Sequence, residues 1–309
     1  MNLSLVQERF PALAWKDHVP TKSMTTFHCL GLASAVVKPS SLDELMQLVR
    51  YFHDQGWKWK KDWDVIGNGS NLLVHDGGFR GVLIHLQGPV FERLEVLERN
   101  NPAVRLYVGA GLLNGKLLAW AREKYMSGFE FAFGIPGTVG GGIRMNAGTP
   151  QGWFSNILRK IHWINLLGNQ EEVTVSEADF TYRDFPNAQD RIIVGAEIEL
   201  NVSQKETVES NIATAKQKRK AQPLELPNFG SVFKNPENHF AGNLIERSGL
   251  KGERIGDAQI SPKHANFIVN LGRAKTGDVL ALIQRAQRKV NLQFGVHIEP
   301  EVVVIGDAP

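Results

Sequence analysis

Six glycines crowd into fifteen residues between positions 134 and 148: Gly134-Ile135-Pro136-Gly137-Thr138-Val139-Gly140-Gly141-Gly142-Ile143-Arg144-Met145-Asn146-Ala147-Gly148. Glycine removes the side chain that keeps backbone N–H groups away from an anion, and it reaches backbone angles that other residues avoid. Stiffened by Pro136, such a run makes a nest for phosphate oxygens. It also makes a tight turn between strands, and composition alone leaves both open. A second segment, Gly67-Asn68-Gly69-Ser70-Asn71-Leu72-Leu73-Val74, follows the apolar pair Val65-Ile66 and offers backbone amides with the Ser70 and Asn71 side chains. A third spans residues 109–115. Neither keeps the G-x-G-x-x-G register of a dinucleotide turn, because the sixth position is Leu72 in one and Asn114 in the other. No Gly-Lys-Ser/Thr triplet exists, so a P-loop is excluded.

Other polar residues have ordinary default roles. Ser231 sits in Asn228-Phe229-Gly230-Ser231-Val232-Phe233-Lys234-Asn235-Pro236, by itself a turn with a serine, from which Lys234 and Asn235 can face a polar ligand. Arg183, within Thr181-Tyr182-Arg183-Asp184-Phe185, reads as a surface or ion-paired arginine, and Glu301 as a solvated carboxylate just before an apolar strand. The run Lys216-Gln217-Lys218-Arg219-Lys220 is either a solvated helix end or a set of diphosphate contacts. The tryptophans of Trp57-Lys58-Trp59-Lys60-Lys61-Asp62-Trp63 superficially suggest base stacking, but are expected to pack in an edge strand or loop.

Elements to carry these residues are readable from periodicity. A short strand at 35–37 stops at Pro39, and Ser41-Leu42-Asp43-Glu44 has the capping-box pattern that opens a helix. Leu45, Leu48, Val49 and Phe52 would share its buried face, with Gly56 at its end. Strands at 65–66 and 82–84 close a first region near residue 86. A strand-rich region follows: strands at 104–108, 157–166, 172–175 and 192–200, and a helix at 114–124. Residues 201–220 turn polar and helix-prone, which places a boundary near 205. The last hundred residues read as a compact α+β domain, with a short helix after Phe240, a strand at 266–269, a long helix from near Thr276 and a strand at 302–305.

Composition narrows the class. With 309 residues, 42% hydrophobic, the chain can bury a large core in two or three domains. A net charge of +3 is too small to imply a nucleic-acid or membrane partner, and no stretch approaches the roughly 20 apolar residues that cross a bilayer. Cys29 is the only cysteine, which excludes an intramolecular disulfide and a thiolate-built zinc or iron–sulfur site, so no metal is expected and a reducing cytoplasm fits best. The first sixteen residues lack the pattern of a secretion signal. The expectation is a soluble cytoplasmic protein. Nothing in the sequence specifies an oligomeric state.

Taken in order and spacing, the segments resemble the UDP-N-acetylenolpyruvoylglucosamine reductase (MurB) family of flavoenzymes. The resemblance is carried by Thr25-Thr26-Phe27, by Gly69 to Val74 with Gly78-Phe79-Arg80-Gly81, by the 134–148 loop and by Tyr182-Arg183. It continues through Gln222-Pro223, Gly230 to Pro236, Ala241 to Glu246, Gly249 to Gly252, Lys263 to Asn270 and Pro300-Glu301-Val302. His28-Cys29-Leu30-Gly31 stands where that family has an arginine and paired glycines, and the length matches its shorter branch.

The resemblance implies an α+β fold: a two-subdomain FAD-binding module of the vanillyl-alcohol-oxidase (PCMH-like) type at 1–86 and 87–205, then an α+β substrate-binding domain at 206–309. It implies that Gly67, Asn68, Gly69, Ser70, Asn71 and Leu72, with Gly134, Ile135, Pro136, Gly137, Thr138, Gly140, Gly141, Asn146, Ala147 and Gly148, wrap tightly bound FAD. It implies a catalytic set of Arg183, Ser231 and Glu301. Lys218, Arg219, Lys234, Asn235, Gln259 and His264 become candidates for the substrate. NADPH would reduce the flavin and be replaced by the enolpyruvyl ether of UDP-N-acetylglucosamine, for peptidoglycan precursor synthesis. Only small-molecule partners are implied. A flavin oxidase of the same cofactor fold, and a nucleotide-sugar-binding paralogue without turnover, are the competing expectations.

Overall fold

The computed structural model describes residues 2–307; Met1, Ala308 and Pro309, at the outer ends of the first and last expected domains, lie outside the described residues. The chain divides into two compact units. One is built from Met1–Trp15, Val37–Asn68 and Leu83–Lys220, the other from Lys16–Val36, Gly69–Val82 and Ala221–Pro309.

The centre of the first unit is a wholly antiparallel sheet. Its strands run Gln170–Thr174, Leu158–Asn165, Arg191–Val202, Ala103–Gly109 and Leu94–Asn100 in spatial order, with Met126–Ser127 added at the far end of Arg191–Val202. The long strand is buried from Ile192 to Ala196 and again at Ile198 and Leu200, which anchors the core. Helices Asn114–Glu123 and Val139–Arg144 pack beside it, the second directly against Arg191–Val202.

Helix Leu42–Asp54 forms as its pattern predicts: Leu45, Leu48, Val49 and Phe52 are buried, and the Ser41 hydroxyl accepts from the Glu44 amide. The Glu44 carboxylate reaches one residue further back than a capping box requires, to the Ser40 amide at 2.6 Å. The tryptophan-rich run packs inward: Trp57 stacks on Phe52 with centroids 4.8 Å apart, and Trp63 is buried against the same ring.

In the second unit, Arg254–Ile255, Ala258–Ile260 and Ile268–Asn270 form an antiparallel meander, and Leu72–Val74 pairs in parallel with Val303–Ile305. The long helix Thr276–Phe294 buries Val279, Leu282, Ile283, Ala286 and Val290 and ends on Gly295 in the left-handed conformation. Its first turn is capped by a residue two hundred positions away. The Asp76 carboxylate accepts from the Thr276 amide at 2.9 Å and the Gly277 amide at 3.2 Å, a favourable place for negative charge.

Three features depart from the sequence reading. Residues 72–74, expected inside a glycine turn, are a strand, because Val303–Ile305 supplies backbone partners that no local pattern reveals. Residues 139–144, expected as open loop, are a helix with Thr138 as its N-cap. Helix Leu3–Arg9 and strand Ala14–Pro20 precede the first element that the sequence offered.

Candidate active site

The 134–148 segment owes its path partly to positive-φ glycines at 134 (φ 68°) and 137 (φ 129°). Much of its hydrogen-bonding capacity is spent inside the protein. Val139 and Gly140 donate to Leu112 and Ala110 at 2.8 Å, Gly142 to the Thr138 carbonyl at 2.9 Å, and Gly141 to the Thr138 hydroxyl at 3.4 Å. The amides of Gly137 and Thr138 meet no acceptor among the described residues. Several glycines are demanded by close packing rather than by a ligand: a Cβ on Gly140 would stand 2.8 Å from the Ala110 Cβ, and one on Gly142 would run into the Phe154 ring. Gly67 comes against the same N-cap, where a Cβ would lie 2.7 Å from the Thr138 hydroxyl. The uncommitted amides at 137–138, beside glycines without side-chain bulk at 67 and 141, are donors of the kind that suits phosphate oxygens. Ile135, Pro136, Asn68 and Ala147 flank them in the chain.

Arg183 stands beside the end of this loop. Its φ of 60° lies in the left-handed region, and Nη1 donates to the Gly148 carbonyl at 3.2 Å. The guanidinium lies 5.3 Å from the Trp153 ring and 5.5 Å from the Tyr182 ring, so two aromatic faces steady its charge. Arg219, near the end of helix Lys205–Arg219, donates to the Gly134 carbonyl at 3.1 Å, and its Cδ would crowd any side chain at Gly134. Burial, and then the neighbouring charge of Arg183, push the Arg219 guanidinium down to about 10. Lys218, on the same turn of helix, is exposed.

In the second unit the Ser231 turn is built by backbone and amide contacts. The Asn228 carboxamide oxygen accepts from the Gly230 amide at 2.9 Å, where φ is 81°. Thr26 ties the turn from outside, its hydroxyl donating to the Asn228 carbonyl at 2.6 Å, and Phe27 packs on Phe229. Asn266, which the sequence reading did not single out although it lies in one of the matching motifs, grips the following residues: its side chain bonds both the amide (3.0 Å) and the carbonyl (2.9 Å) of Phe233. Glu301 is brought beside Ser231 by its amide, which donates to the Val232 carbonyl at 2.9 Å. The Asn71 carboxamide holds the Glu301 carbonyl at 2.8 Å, so part of the 69–72 turn is joined to this pair.

The remaining candidates have structural partners of their own. Lys234 is ion-paired with Glu299 at 2.9 Å, and the Asn235 side chain accepts from the Ala241 amide at 3.0 Å. Gln259 donates to the Gly252 carbonyl at 3.0 Å. His264 accepts from the Asn266 amide through Nδ1 at 3.2 Å, and burial pushes its imidazole below the usual range, favouring the neutral ring. Cys29 is fully buried; the Val74 amide donates to its Sγ at 3.3 Å, and burial raises its thiol. Within the unusual 28–31 segment, Cys29 and Gly31 are committed to packing, with Gly31 so close to the His75 carbonyl that a Cβ would lie 2.6 Å from it, while Leu30 is exposed.

Comparison with known proteins covers both halves of the chain. A family model described as "FAD binding domain" matches residues 33–174, and one described as "UDP-N-acetylenolpyruvoylglucosamine reductase, C-terminal domain" matches residues 222–305. The UDP-N-acetylenolpyruvoylglucosamine reductase of Listeria monocytogenes serotype 4b (strain CLIP80459) is 38% identical over 304 residues, 98% of either chain. That of Agathobacter rectalis is 38% identical over 314 residues, 98% of this chain and 97% of the other. Among solved structures, the enzyme of the same name (MurB) from Thermus caldophilus superposes with a TM-score of 0.78 at 32% identity, covering 95% of this chain and 99% of that one. The expected fold class, an FAD-binding module followed by a C-terminal α+β domain, is borne out. At this identity over nearly the full length, the chain belongs to the UDP-N-acetylenolpyruvoylglucosamine reductase family.

Proposed function

We propose that this protein uses NADPH and bound FAD to reduce the enolpyruvyl ether of UDP-N-acetylglucosamine to UDP-N-acetylmuramate, a step of peptidoglycan precursor synthesis. The observation that carries this is the near full-length likeness to reductases of that name, at both ends of the chain. Residues 67–72, with Gly134 to Thr138, Gly140, Gly141 and Asn146 to Gly148 of the long loop, hold the FAD phosphates and ribityl chain, supported by the uncommitted amides of Gly137 and Thr138. When bound, the flavin supplies the hydride.

The protein's own groups answer the charge that hydride arrival creates. Addition at the terminal vinyl carbon pushes electrons onto the substrate carboxylate, which Arg183 stabilises as a fixed cation that does not deprotonate. In its protonated form Glu301 would be the second donor to that carboxylate. Ser231 delivers a proton to the carbon beside it. Arg219, with Lys218, Lys234 and Asn235, meets the diphosphate, and Gln259 and His264 approach the sugar nucleotide. Of these, Arg219 has the strongest support, because it is desolvated beside a second cation.

The working division of the chain is 1–86, 87–205 and 206–309; by compactness, helix Lys205–Arg219 goes with the residues before it, in the unit that holds Leu83–Lys220. A cytoplasmic setting, with neither nucleic acid nor membrane as partner, is supported by the single buried thiol and by the finding that no helix among the described residues is long and apolar enough to cross a membrane.

Stopped-flow kinetics under nitrogen test the assignment. Purified protein is expected to show oxidised-flavin absorbance, bleached by NADPH and restored by the enolpyruvyl substrate without oxygen. Ser231→Ala should leave bleaching within about twofold and slow restoration by about 10²–10⁴-fold. Equal loss in both steps, or restoration by oxygen alone, would contradict the reading.

A further inference from the structure

We propose that Arg144 and Asn146, both inside the glycine-rich loop, are positioning residues that hold the Arg183 turn in its working shape, so that cofactor loop and substrate cation form one braced piece. This rests on the reading of Arg183 as the group that meets the substrate carboxylate. Residues 181–184 form a tight turn closed by reciprocal bonds, Thr181 N–H to Asp184 O at 3.0 Å and Asp184 N–H to Thr181 O at 3.3 Å. Arg183 at its tip adopts a φ that side-chain-bearing residues seldom take, a conformation that persists only when its surroundings over-determine it.

Those surroundings are two loop residues acting from opposite sides. Asn146 is buried; its Nδ2 donates to the Thr181 carbonyl at 3.2 Å while its Oδ1 accepts from the Ser155 amide at 3.1 Å, so it pins the start of the turn. Arg144 pins the end. Its guanidinium donates to the Ala188 carbonyl, to the Gln189 carbonyl at 3.4 Å and to the Gln189 side chain at 3.1 Å, and Gln189 in turn donates to the Asp184 carboxylate at 3.2 Å. Arg144 is itself fixed over the Trp59 ring at 5.9 Å, and Trp59 is held by Asp64 through its indole N–H at 2.8 Å. Asp184, Asp64 and Asp190 all contribute favourable charge around this half-buried cation. Loosening the brace lets the Arg183 backbone relax toward ordinary φ, and a displacement of about 1 Å at a catalytic group costs on the order of 10²-fold in rate.

The test compares Arg144→Met and Arg144→Lys with Arg183→Lys, using amide hydrogen exchange on the purified holoprotein together with the two half-reactions. Arg144→Met is expected to accelerate exchange across residues 181–189 about tenfold and leave helix Lys205–Arg219 unchanged. Flavin content and NADPH bleaching should stay within about twofold while restoration by substrate slows about 10–100-fold, and Arg144→Lys should recover part of both effects. Unchanged exchange at 181–189, a loosened turn with full-speed restoration, or equal slowing of both half-reactions would overturn the proposal. If Arg183→Lys restores flavin absorbance at the parent rate, the reading of Arg183 fails and the positioning role falls with it. A slow Arg183→Lys beside normal exchange in Arg144→Met rejects the positioning role alone.

Discussion

Burial and the charge of Arg183 both disfavour the cationic form of Arg219, so this arginine keeps its charge in a partly desolvated setting. The charge of Arg183 and burial together hold Arg219 at about 10, still cationic at neutral pH. Removing one of the two should therefore help the empty protein and harm its ligand-bound form, the trade seen where sites carry destabilising charge. Arg219→Met is expected to leave the thermal midpoint unchanged or raise it, and to increase the KM for one of the two anionic substrates about 10–100-fold, an effect that weakens with added salt. Thermal melts with initial-rate kinetics check it; a lowered midpoint with unaltered KM would contradict the anion-receptor reading. Little of this was visible in the sequence. Arg219 was one of four cations in a polar run, and its burial follows from its fit against Gly134, 85 residues earlier in the chain. Arg183 was found only through likeness to a family, since a lone arginine after a tyrosine has no chemical signature.

At the scale of the element, the glycine-rich segment mixes two demands that composition cannot separate. The glycines were legible as a special stretch, but the helix within them was not, because three consecutive glycines argue against helix unless a cap and packing override propensity. Thr138 supplies the cap, and Phe154 and Ala110 supply the packing. Substitution can separate the demands. Gly142→Ala drives a methyl into the Phe154 ring and should destabilise the protein by about 1–3 kcal/mol. Gly141 is exposed, and its nearest neighbour to an added Cβ is the Thr138 hydroxyl at 3.6 Å, an ordinary contact. Gly141→Ala should therefore preserve or slightly raise stability, by up to about 1 kcal/mol. Flavin lost on purification of Gly141→Ala but retained by the parent would then report approach of the cofactor rather than damage to the fold. Denaturant melts with flavin-to-protein ratios decide the matter, and full flavin retention would remove Gly141 from the cradle. The regular elements were easier: helix Leu42–Asp54, helix Thr276–Phe294 and the inner strands Ala103–Gly109, Leu158–Asn165 and Arg191–Val202 of the large sheet bury the positions that their apolar pattern marks.

For the whole molecule, acid stability has an identifiable source. His85, at the end of strand Phe79–His85, is pushed down to about 4 from 6.5 by burial and then by Lys38, with Glu92 acting the other way. The unfolded chain takes up this proton first, so stability is complete above about pH 6.5 and falls as pH drops toward 4, by at most roughly 3 kcal/mol. His264, also depressed, acts with the same sign. Urea melts between pH 7 and 4 should show the decline, and His85→Gln should flatten it; an unchanged slope would remove His85 as the cause. The sequence could not reveal how the two units share the chain, because nothing in local pattern announces that Lys16–Val36 and Gly69–Val82 belong with a unit otherwise made of Ala221–Pro309.

That sharing limits how such a gene can be cut or recombined. A fragment holding only residues 221–309 would carry strand Val303–Ile305 without Leu72–Val74, and helix Thr276–Phe294 without the Asp76 carboxylate or the Val74 carbonyl that holds the Thr276 hydroxyl. The Ser231 turn would be deprived of Thr26, and Glu301 of Asn71. The C-terminal part of this protein is thus not a transferable module: the Ser231 turn, Glu301 and the last strand are held by pieces that must be inherited together.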